Sequence, residues 1–315
     1  MTGSPDRGPP VAGAPLGATL LVTALLLTAC GEKAAVPVVA DQPAQRIVAL
    51  SPHLTELAFA AGAGPKLKGV VEFSDHPVEA RALPRVGDAF RLDLEALAAV
   101  KPDLILGWPS GNSPPALERL RRLGYRVIEL EPRRLRDVGD QIEAIGRLAG
   151  TEAEAHKAAS AWRNGLAALR SQYRNARPGR VFYQIAPQPL ITVNREHFIG
   201  QAIELCGGQN IYAGVSGLTP VVSVESVVVE APEAIVASDF TRGPGRPTEG
   251  SPLDLWRSWT QLPAVARNRL YVIDPDLMSV PGPRLLAGIT QLCAALNGAG
   301  RLRPAPTAPS AGASR

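Results

Sequence analysis

The chain has 315 residues, of which 45% are hydrophobic, 20% charged and 5% aromatic. This composition is that of a folded globular protein, and it excludes a disordered or fibrous chain. The formal net charge is +4, but 33 basic and 29 acidic residues are interleaved without a long basic run, so we expect no nucleic-acid partner. The length favours two lobes, because single cores stop growing near roughly 250 to 300 residues.

An apolar segment near the start of the chain predicts an export signal. Residues 16–29 (LGATLLVTALLLTA) are long enough for the core of a signal peptide but shorter than the ~20 residues that span a membrane as a helix. The segment runs into LTACG at residues 27–31, which resembles a bacterial lipobox, where the Cys is lipid-modified and starts the mature chain. We expect a periplasmic lipoprotein anchored to a membrane through Cys30. The alternative is a plain signal peptide followed by a chance Cys.

Strands and helices alternate in the first half of the chain. Residues 46–50 form a short apolar strand, after which Ser51 and Pro52 suit the cap and the first turn of a helix. Three further apolar runs, separated by helical patterns, predict strands at residues 69–73, 104–107 and 126–130. This alternation indicates a parallel sheet.

A long helix and a second half of the same kind follow. The apolar residues of 152–173 recur at helical spacing on one stripe, which predicts a helix of roughly 30 Å that connects two lobes. Val224-Glu225 and residues 232–236 then repeat the pattern of Leu94-Glu95 and residues 102–106 at a distance of 130 residues. The sequence predicts an α/β fold of two Rossmann-like lobes with mostly parallel sheets, joined by one long backbone helix.

The predicted organisation has six parts. A signal peptide (1–29) and a lipidated tether (30–45) precede an N-terminal α/β lobe (46–150), a connecting helix (151–176), a C-terminal α/β lobe (177–298) and a disordered tail (299–315). The tether and the tail are assigned from their polar, Pro-containing composition, which favours an extended chain without a core.

The cysteine count predicts one disulfide. Of three Cys residues, Cys30 is assigned to lipidation, which leaves Cys206 and Cys293. An even pair in an exported protein favours a bridge, and both residues lie in helical patterns of the second lobe. Closing a separation of 87 residues would stabilise the fold by up to about 4 to 5 kcal/mol on the chain-entropy account. The alternative is two buried free thiols.

Residues beyond the carboxyl ends of the strands predict where a ligand binds, because open parallel sheets place their clefts there. Many of them are apolar or aromatic, a composition suited to a sizeable organic molecule. For Phe73 and Trp108 the alternative is lid packing without ligand contact. The strand-end residues are Ser51, Pro52, His53, Phe73 to His76, Trp108, Ala186 to Pro189, Ser238 to Phe240 and Asp274 to Met278.

Motifs of catalysis are missing from the sequence. It contains no Gly-x-Ser-x-Gly, no His-Glu-x-x-His and no phosphate-binding glycine loop, so we expect no catalytic residues and no cofactor. His53, His76 and His197 could approach the cleft, but no short metal-ligand spacing supports a metal site, and His156 is expected on a helix surface. An envelope hydrolase on an α/β scaffold is the alternative of another class.

Several segments carry a resemblance to one family: Ile47 to Gly62, Phe73 to Pro77, Leu94-Glu95 through Trp108, Gly111-Asn112, Leu205 to Ile211 and Gln291 to Leu296. They resemble the cobalamin-binding proteins of bacterial vitamin ABC importers, in the helical-backbone class of periplasmic substrate-binding proteins. The resemblance covers nearly everything from Arg46 to Asn297. It implies a protein that captures cobalamin or a related corrinoid and delivers it to the membrane subunits of an ABC importer. We expect a monomer.

The resemblance also implies which residues hold the ligand. Phe73 stands where the family has a Tyr, and Phe90 takes the place of a Trp expected near Ala89. A Trp expected near Thr219 is absent, as are a Trp and an Arg around Leu277 and Val280. These departures leave haem or a ferric siderophore open as the ligand. The expected contacts are Ser51, Pro52, Phe73, Phe90, Trp108 and Asp276.

Two acidic residues occupy equivalent places in the two halves, Glu95 and Glu225. In the resembled family, surface glutamates at these positions pair with Arg residues of the two importer subunits, which implies a docking role for both. The alternative is that each Glu only lies in the first turn of its helix, where a negative charge is favourable by about 0.3 to 1 kcal/mol.

Overall fold

The N-terminal lobe is built on four short parallel strands, of which the central two are fully buried. A computed structural model describes residues 42–239 and 250–298. The signal peptide, Cys30, most of the tether and the tail lie outside the described residues. The strands are β1 (Ile47–Ala49), β2 (Leu67–Val70), β3 (Leu104–Gly107) and β4 (Val127–Glu129), in the order β2-β1-β3-β4.

Four helices cover this sheet. Ser51 caps the first one, because its Oγ accepts the N–H of Leu54 at 3.2 Å and Pro52 supplies the first turn. Asp93 caps the second through the N–H groups of Glu95 and Ala96. The helices are α1 (Pro52–Ala60), α2 (Leu94–Ala99), α3 (Pro114–Arg122) and α4 (Leu135–Ala149).

The helix α5 (Glu152–Gln172) connects the lobes and is 21 residues long. Its buried stripe of Ala155, Ala159, Trp162, Leu166 and Leu169 packs on the core, as the spacing of the sequence predicted. Trp162 Nε1 donates to the carbonyl oxygen of Leu135 at 2.8 Å, which fixes α5 against α4. None of the helices in the described part of the chain is long and apolar enough to cross a membrane.

The C-terminal lobe repeats the four-stranded parallel arrangement, in the order β10-β9-β5-β8, and adds one antiparallel hairpin, β6-β7. The predicted fold class is therefore confirmed. Its strands are β5 (Arg180–Gln184), β6 (Ala186–Pro187), β7 (Leu190–Ile191), β8 (Gln209–Asn210), β9 (Ala234–Ser238) and β10 (Leu270–Ile273). Its helices are α6 (Phe198–Leu205), α7 (Val224–Glu230), α8 (Asp254–Arg257), α9 (Pro263–Ala266), α10 (Pro275–Met278) and α11 (Leu285–Leu296).

The repetition of the two halves extends to the backbone. Lys101 and Ala231, 130 residues apart, each precede a Pro and adopt positive φ angles of 46° and 44°. After each Pro, an acidic side chain accepts a backbone N–H at the start of the lobe's first strand. The donors are Arg46 for Asp103, at 2.9 Å, and Arg180 for Glu233, at 3.4 Å. The same strand-entry turn is thus built twice.

One large hydrophobic cluster spans the two lobes, and each lobe adds a smaller cluster of its own. A single cluster of buried residues runs from Ile47 and Leu104 of the first sheet to Val181 and Val236 of the second. Within it, Cys206 after α6 is bridged to Cys293 of α11, with their Cα atoms 4.7 Å apart. The predicted disulfide is confirmed, and it ties the helix that begins at the cleft to the last helix of the fold.

Candidate functional site

A cleft of about 410 Å³ lies between the lobes. Its walls combine apolar and aromatic side chains with a few charged and polar groups, as is usual for sites that bind organic ligands. The N-terminal lobe contributes Trp108, Ser110, Glu131, Pro132 and Arg133, and the C-terminal lobe contributes Ile185, His197, Phe198, Ile199, Leu218, Thr219, Ser279 and Pro281.

Trp108 follows β3 and is the one expected contact that lines this cavity. Its indole Nε1 lies 3.3 Å from Glu131 Oε1 and donates to it. The ring packs edge-on to His53, with 5.1 Å between ring centroids. Gly111 makes room for the indole, because a Cβ at that position would lie 2.0 Å from Trp108 Cε3. The ring is therefore held on three sides and presents its remaining surface to the cleft.

Glu131 supplies a negative charge to the N-terminal wall. Burial alone would raise the pKa of this carboxyl, but hydrogen bonds from Ser110, Arg133 and Trp108 and the Arg133 charge outweigh burial and lower it. Arg133 Nε donates to Glu131 Oε2 at 2.7 Å. The wall therefore presents an ion pair with no net charge, which favours a ligand that offers neutral polar groups.

Behind Trp108, His53 is buried and neutral. Burial is the largest influence and lowers the pKa of His53 to about 3, against a small opposing effect of the Glu131 charge. Ser51 Oγ and His53 Nδ1 share a hydrogen bond at 3.0 Å while Ser51 Oγ also accepts the Leu54 N–H, so the hydroxyl is engaged inside the lobe. Ser51 itself is fully buried and supports the wall from behind.

On the opposite wall, His197 and Phe198 begin α6. Burial lowers the pKa of His197 to about 4, and its ring lies 4.3 Å from that of Phe198. His197 Nδ1 accepts the N–H of Ile199 at 3.1 Å, which places the proton of the neutral ring on Nε2. His197 is therefore a hydrogen-bond donor toward its surroundings and has no free nitrogen lone pair to offer a metal ion.

The remaining expected contacts lie outside the cavity. Phe73 and Phe90 are 78% and 75% exposed, and Phe73 has a positive φ of 65°. Asp276 is exposed in the first turn of α10, and Pro52 is partly exposed at the start of α1. The structure thus separates a cavity that contains Trp108 from more open positions that carry Phe73, Phe90 and Asp276.

The sequence did not point to most of the lining residues. Glu131 lies two residues after the end of β4, a strand whose carboxyl end the sequence-based prediction left out. Leu218, Thr219, Ser279 and Pro281 come from loops of the second lobe and reach the cleft only through the packing of the lobes. The sequence suggested no role for His197 other than that of a possible metal ligand. In the described ranges, no group of three or more His, Cys, Asp or Glu side chains could hold a metal ion.

Glu95 and Glu225 lie in the first turns of α2 and α7, and both are exposed. Asp93 Oδ1 accepts the N–H of Glu95 at 3.0 Å. At Glu225, the backbone N–H and the Ser223 hydroxyl lower the pKa of the carboxyl. Each lobe therefore presents one exposed carboxyl side chain at the start of an equivalent helix.

Two parallel-sheet lobes, a connecting helix and a cleft between them define a bilobal substrate-binding protein. The sequence profile of the periplasmic binding protein family matches residues 47–277, and the chain belongs to this family. The resemblance recognised in the sequence is thus confirmed at the level of class and fold.

Individual relatives agree with this assignment. The chain is 37% identical over 252 residues to the vitamin B12-binding protein of Vibrio cholerae serotype O1, covering 80% of this chain and 88% of the relative. The crystal structure of periplasmic vitamin B12 binding protein BtuF of Vibrio cholerae superposes with a TM-score of 0.72 over 82% of this chain and 98% of that one, at 37% identity.

A haem-binding relative shares the same fold. The periplasmic haem binding protein from Pseudomonas aeruginosa is 28% identical, with a TM-score of 0.68 over 82% of this chain and 94% of that one. The proteins named here are all binding proteins, in agreement with the prediction that the chain is not an enzyme.

Proposed function

We propose that this protein binds cobalamin or a related corrinoid in the cleft between its lobes and delivers it to an ABC importer. The observation that carries the proposal is the cleft itself, which has an immobilised Trp108 on one wall and Phe198 on the other. The 37% identity to a vitamin B12-binding protein supports the choice of ligand.

The ligand would extend beyond the cavity. A corrinoid is larger than a space of about 410 Å³, so only part of it fits between Trp108 and Phe198. The rest would lie against the exposed rings of Phe73 and Phe90, with Pro52 and Asp276 at the rim and Ser51 as support. Exposed aromatic rings of this kind gain burial when a large apolar ligand covers them.

The chemistry of the cleft favours a corrinoid over haem. Haem iron is usually held by a His, Cys, Met or Tyr side chain, and His197 is the one such residue among the described residues that line the cavity. Its Nδ1 already accepts a backbone N–H, so the ring would have to change tautomer and lose that bond to ligate iron. A corrinoid that brings its own cobalt ligands makes no such demand.

Calorimetric titration with cyanocobalamin tests the proposal, and separate titrations with hemin and with a ferric siderophore test the alternative ligands. We expect saturable binding of cyanocobalamin at one site per chain. Trp108→Ala should weaken it by about 1 to 3 kcal/mol, whereas Trp108→Phe keeps an aromatic face and should lose less. Wild-type protein that binds hemin or the siderophore, and no cyanocobalamin, would refute the choice of ligand.

We further propose that Glu95 and Glu225 dock the protein on its importer, one on each of two equivalent membrane subunits. Glu95→Arg combined with Glu225→Arg should leave cyanocobalamin affinity intact and abolish the ATP hydrolysis that the carrier stimulates in the reconstituted importer. Glu118→Arg with Glu152→Arg is the matched control, because both residues are exposed on helices and the change in charge is the same. Equal stimulation by both double variants would contradict docking through Glu95 and Glu225.

The proposed location is the periplasm, where a lipid on Cys30 anchors a monomeric carrier. Cys30 lies outside the described residues, and its sequence context supports the assignment. Replacing Cys30 by Ala should release the protein from the membrane fraction and remove the mass of the acyl groups. A variant that stays membrane-bound at its unmodified mass would rule out this anchor.

A further inference from the structure

One buried amide joins three segments of the N-terminal lobe. Asn112 is 2% exposed. Its Oδ1 accepts the N–H of Trp108 at 2.7 Å, and its Nδ2 donates to the carbonyl oxygens of Leu50 and Ala89, both at 2.9 Å. Both donor hydrogens and the acceptor oxygen of the side chain are thus used on backbone groups.

Each of these backbone groups belongs to, or directly precedes, a residue proposed to contact the ligand. Leu50 precedes Ser51, Ala89 precedes Phe90, and Trp108 is itself on the wall of the cleft. Phe90 is 75% exposed, so packing of its own ring does little to hold its loop. The hydrogen bond from Asn112 to Ala89 ties that loop to β1 and β3.

We infer that Asn112 is a positioning residue of the cleft. It fixes the relative placement of Ser51, Phe90 and Trp108 and acts on the ligand through them. Gly111 contributes by leaving space for the Trp108 ring, so the Gly111-Asn112 pair sets both the position and the orientation of the indole. For ligand affinity the inference rests on the proposed function; for the order of the loops it rests on the hydrogen bonds alone.

Asn112→Asp tests the inference with almost no change of shape. The new carboxylate still accepts from Trp108, but one oxygen replaces the NH2 group that donated both hydrogens, and this oxygen faces the Leu50 and Ala89 carbonyls. We expect cyanocobalamin affinity to fall about 10- to 100-fold, the range seen when a hydrogen bond that orients a metal-binding side chain is removed. Asn112→Ser, which keeps one hydroxyl donor, is the second variant if Asn112→Asp does not fold.

Asn297→Asp is the matched control. The Asn297 side chain also donates to two carbonyl oxygens, those of Cys206 at 3.1 Å and Cys293 at 2.9 Å, and does not line the cleft. In the unliganded protein, amide hydrogen exchange of peptides covering 86–93 and 106–112 should quicken in Asn112→Asp and stay unchanged in Asn297→Asp. Unchanged exchange of both peptides in Asn112→Asp would overturn the inference.

A second readout separates positioning from general destabilisation. A Phe90→Ala, Trp108→Ala background removes two of the three residues through which Asn112 acts and leaves only the buried Ser51, so Asn112→Asp should then lower affinity clearly less than it does in the wild-type background. An equal loss in both backgrounds would also overturn the inference. If exchange quickens as expected but the wild type binds no cyanocobalamin, the proposed function fails while the positioning role of Asn112 stands.

Discussion

The guanidinium of Arg284 forms a hydrogen-bonded ion pair with the carboxylate of Glu56 across the boundary between the lobes. Arg284 Nη2 lies 2.6 Å from Glu56 Oε1, and Arg284 Nε lies 3.1 Å from both carboxylate oxygens. Glu56 belongs to α1, and Arg284 immediately precedes α11, 228 positions later. Gly282, beside the cleft-lining Pro281, approaches the same carboxylate so closely that a Cβ there would lie 2.9 Å from Oε2. The pair therefore fixes one lobe against the other at the cleft.

Breaking this pair from one side should be costly. The Glu56 side chain is 7% exposed and that of Arg284 29%, so Arg284→Met leaves a buried charge without a partner and should destabilise the protein by about 3 kcal/mol. Glu56→Leu combined with Arg284→Met should cost less than the two single changes together. Urea unfolding measures each value. Arg267→Met, which removes an exposed partner of Glu233, is the control and should cost less than about 1 kcal/mol.

Stability should fall in mild acid because His53 is held neutral. Its pKa in the fold is about 3, below the ordinary value near 6.5 that it regains on unfolding, so between these values the unfolded chain binds the extra proton. The resulting loss of stability is absent above about pH 6.5 and amounts to about 1.4 kcal/mol per pH unit near pH 5. Urea unfolding from pH 7 to pH 4.5 should show a shallower slope for His53→Gln. An unchanged slope in His53→Gln would contradict the neutral state of the buried ring.

Reduction of the Cys206–Cys293 bridge should weaken the second lobe. The bridge closes a separation of 87 residues, so the variant with both Cys replaced by Ala should lose up to about 4 to 5 kcal/mol. Dithiothreitol should lower the urea midpoint of the wild type and leave that of the variant unchanged. Thiol titration of the denatured, unreduced protein lacking residues 1–30 should find no free Cys, and two free thiols would contradict the bridge.

The loop that carries Phe90 should depend on Gly87. Gly87 has a φ of +99°, and a Cβ there would lie 2.2 Å from the Arg91 carbonyl oxygen. Gly124 also has a positive φ, +89°, but nothing lies within 4 Å of its Cβ position. Gly124→Ala should therefore cost only the backbone strain of about 1 to 2 kcal/mol, while Gly87→Ala should cost clearly more in urea unfolding. Equal losses would show that the close approach to Arg91 is relieved at no cost.

The spacing of apolar residues and the residues that begin or end helices predicted the elements that are regular and well packed. The strand predicted at 104–107 matches β3 to the residue, and the stripe of 152–173 matches α5 within one residue. The strand predicted at 69–73 is wrong in its bounds, since β2 ends at Val70. Pairing with Arg85 at Val70 and a hydrogen bond from Glu72 to Gly87 turn the chain away before the positive φ of Phe73. Such edge contacts arise between distant segments and leave no local pattern.

Only part of the candidate site was predictable, because some of its residues follow regular strands and others are placed by packing between distant segments. Trp108 follows a buried strand, so the rule for strand ends placed it at the cleft. The lining residues Leu218, Thr219 and Ser279 lie on loops whose position depends on how the second lobe packs against the first. Asn112 was part of the recognised pattern, but its three hydrogen bonds join segments up to 62 residues apart, which composition and spacing do not reveal.

The hydrophobic cluster that spans both lobes couples the unfolding of one lobe to that of the other. The two halves repeat one plan, down to the left-handed turns at Lys101 and Ala231, yet the buried cluster passes without a break from one sheet to the other. Neither half can unfold without exposing apolar surface of its neighbour, so heating should produce a single calorimetric transition. The two halves, although built on the same pattern, therefore unfold as one cooperative unit. A destabilising substitution at either end of the cluster should lower the melting temperature of the whole protein.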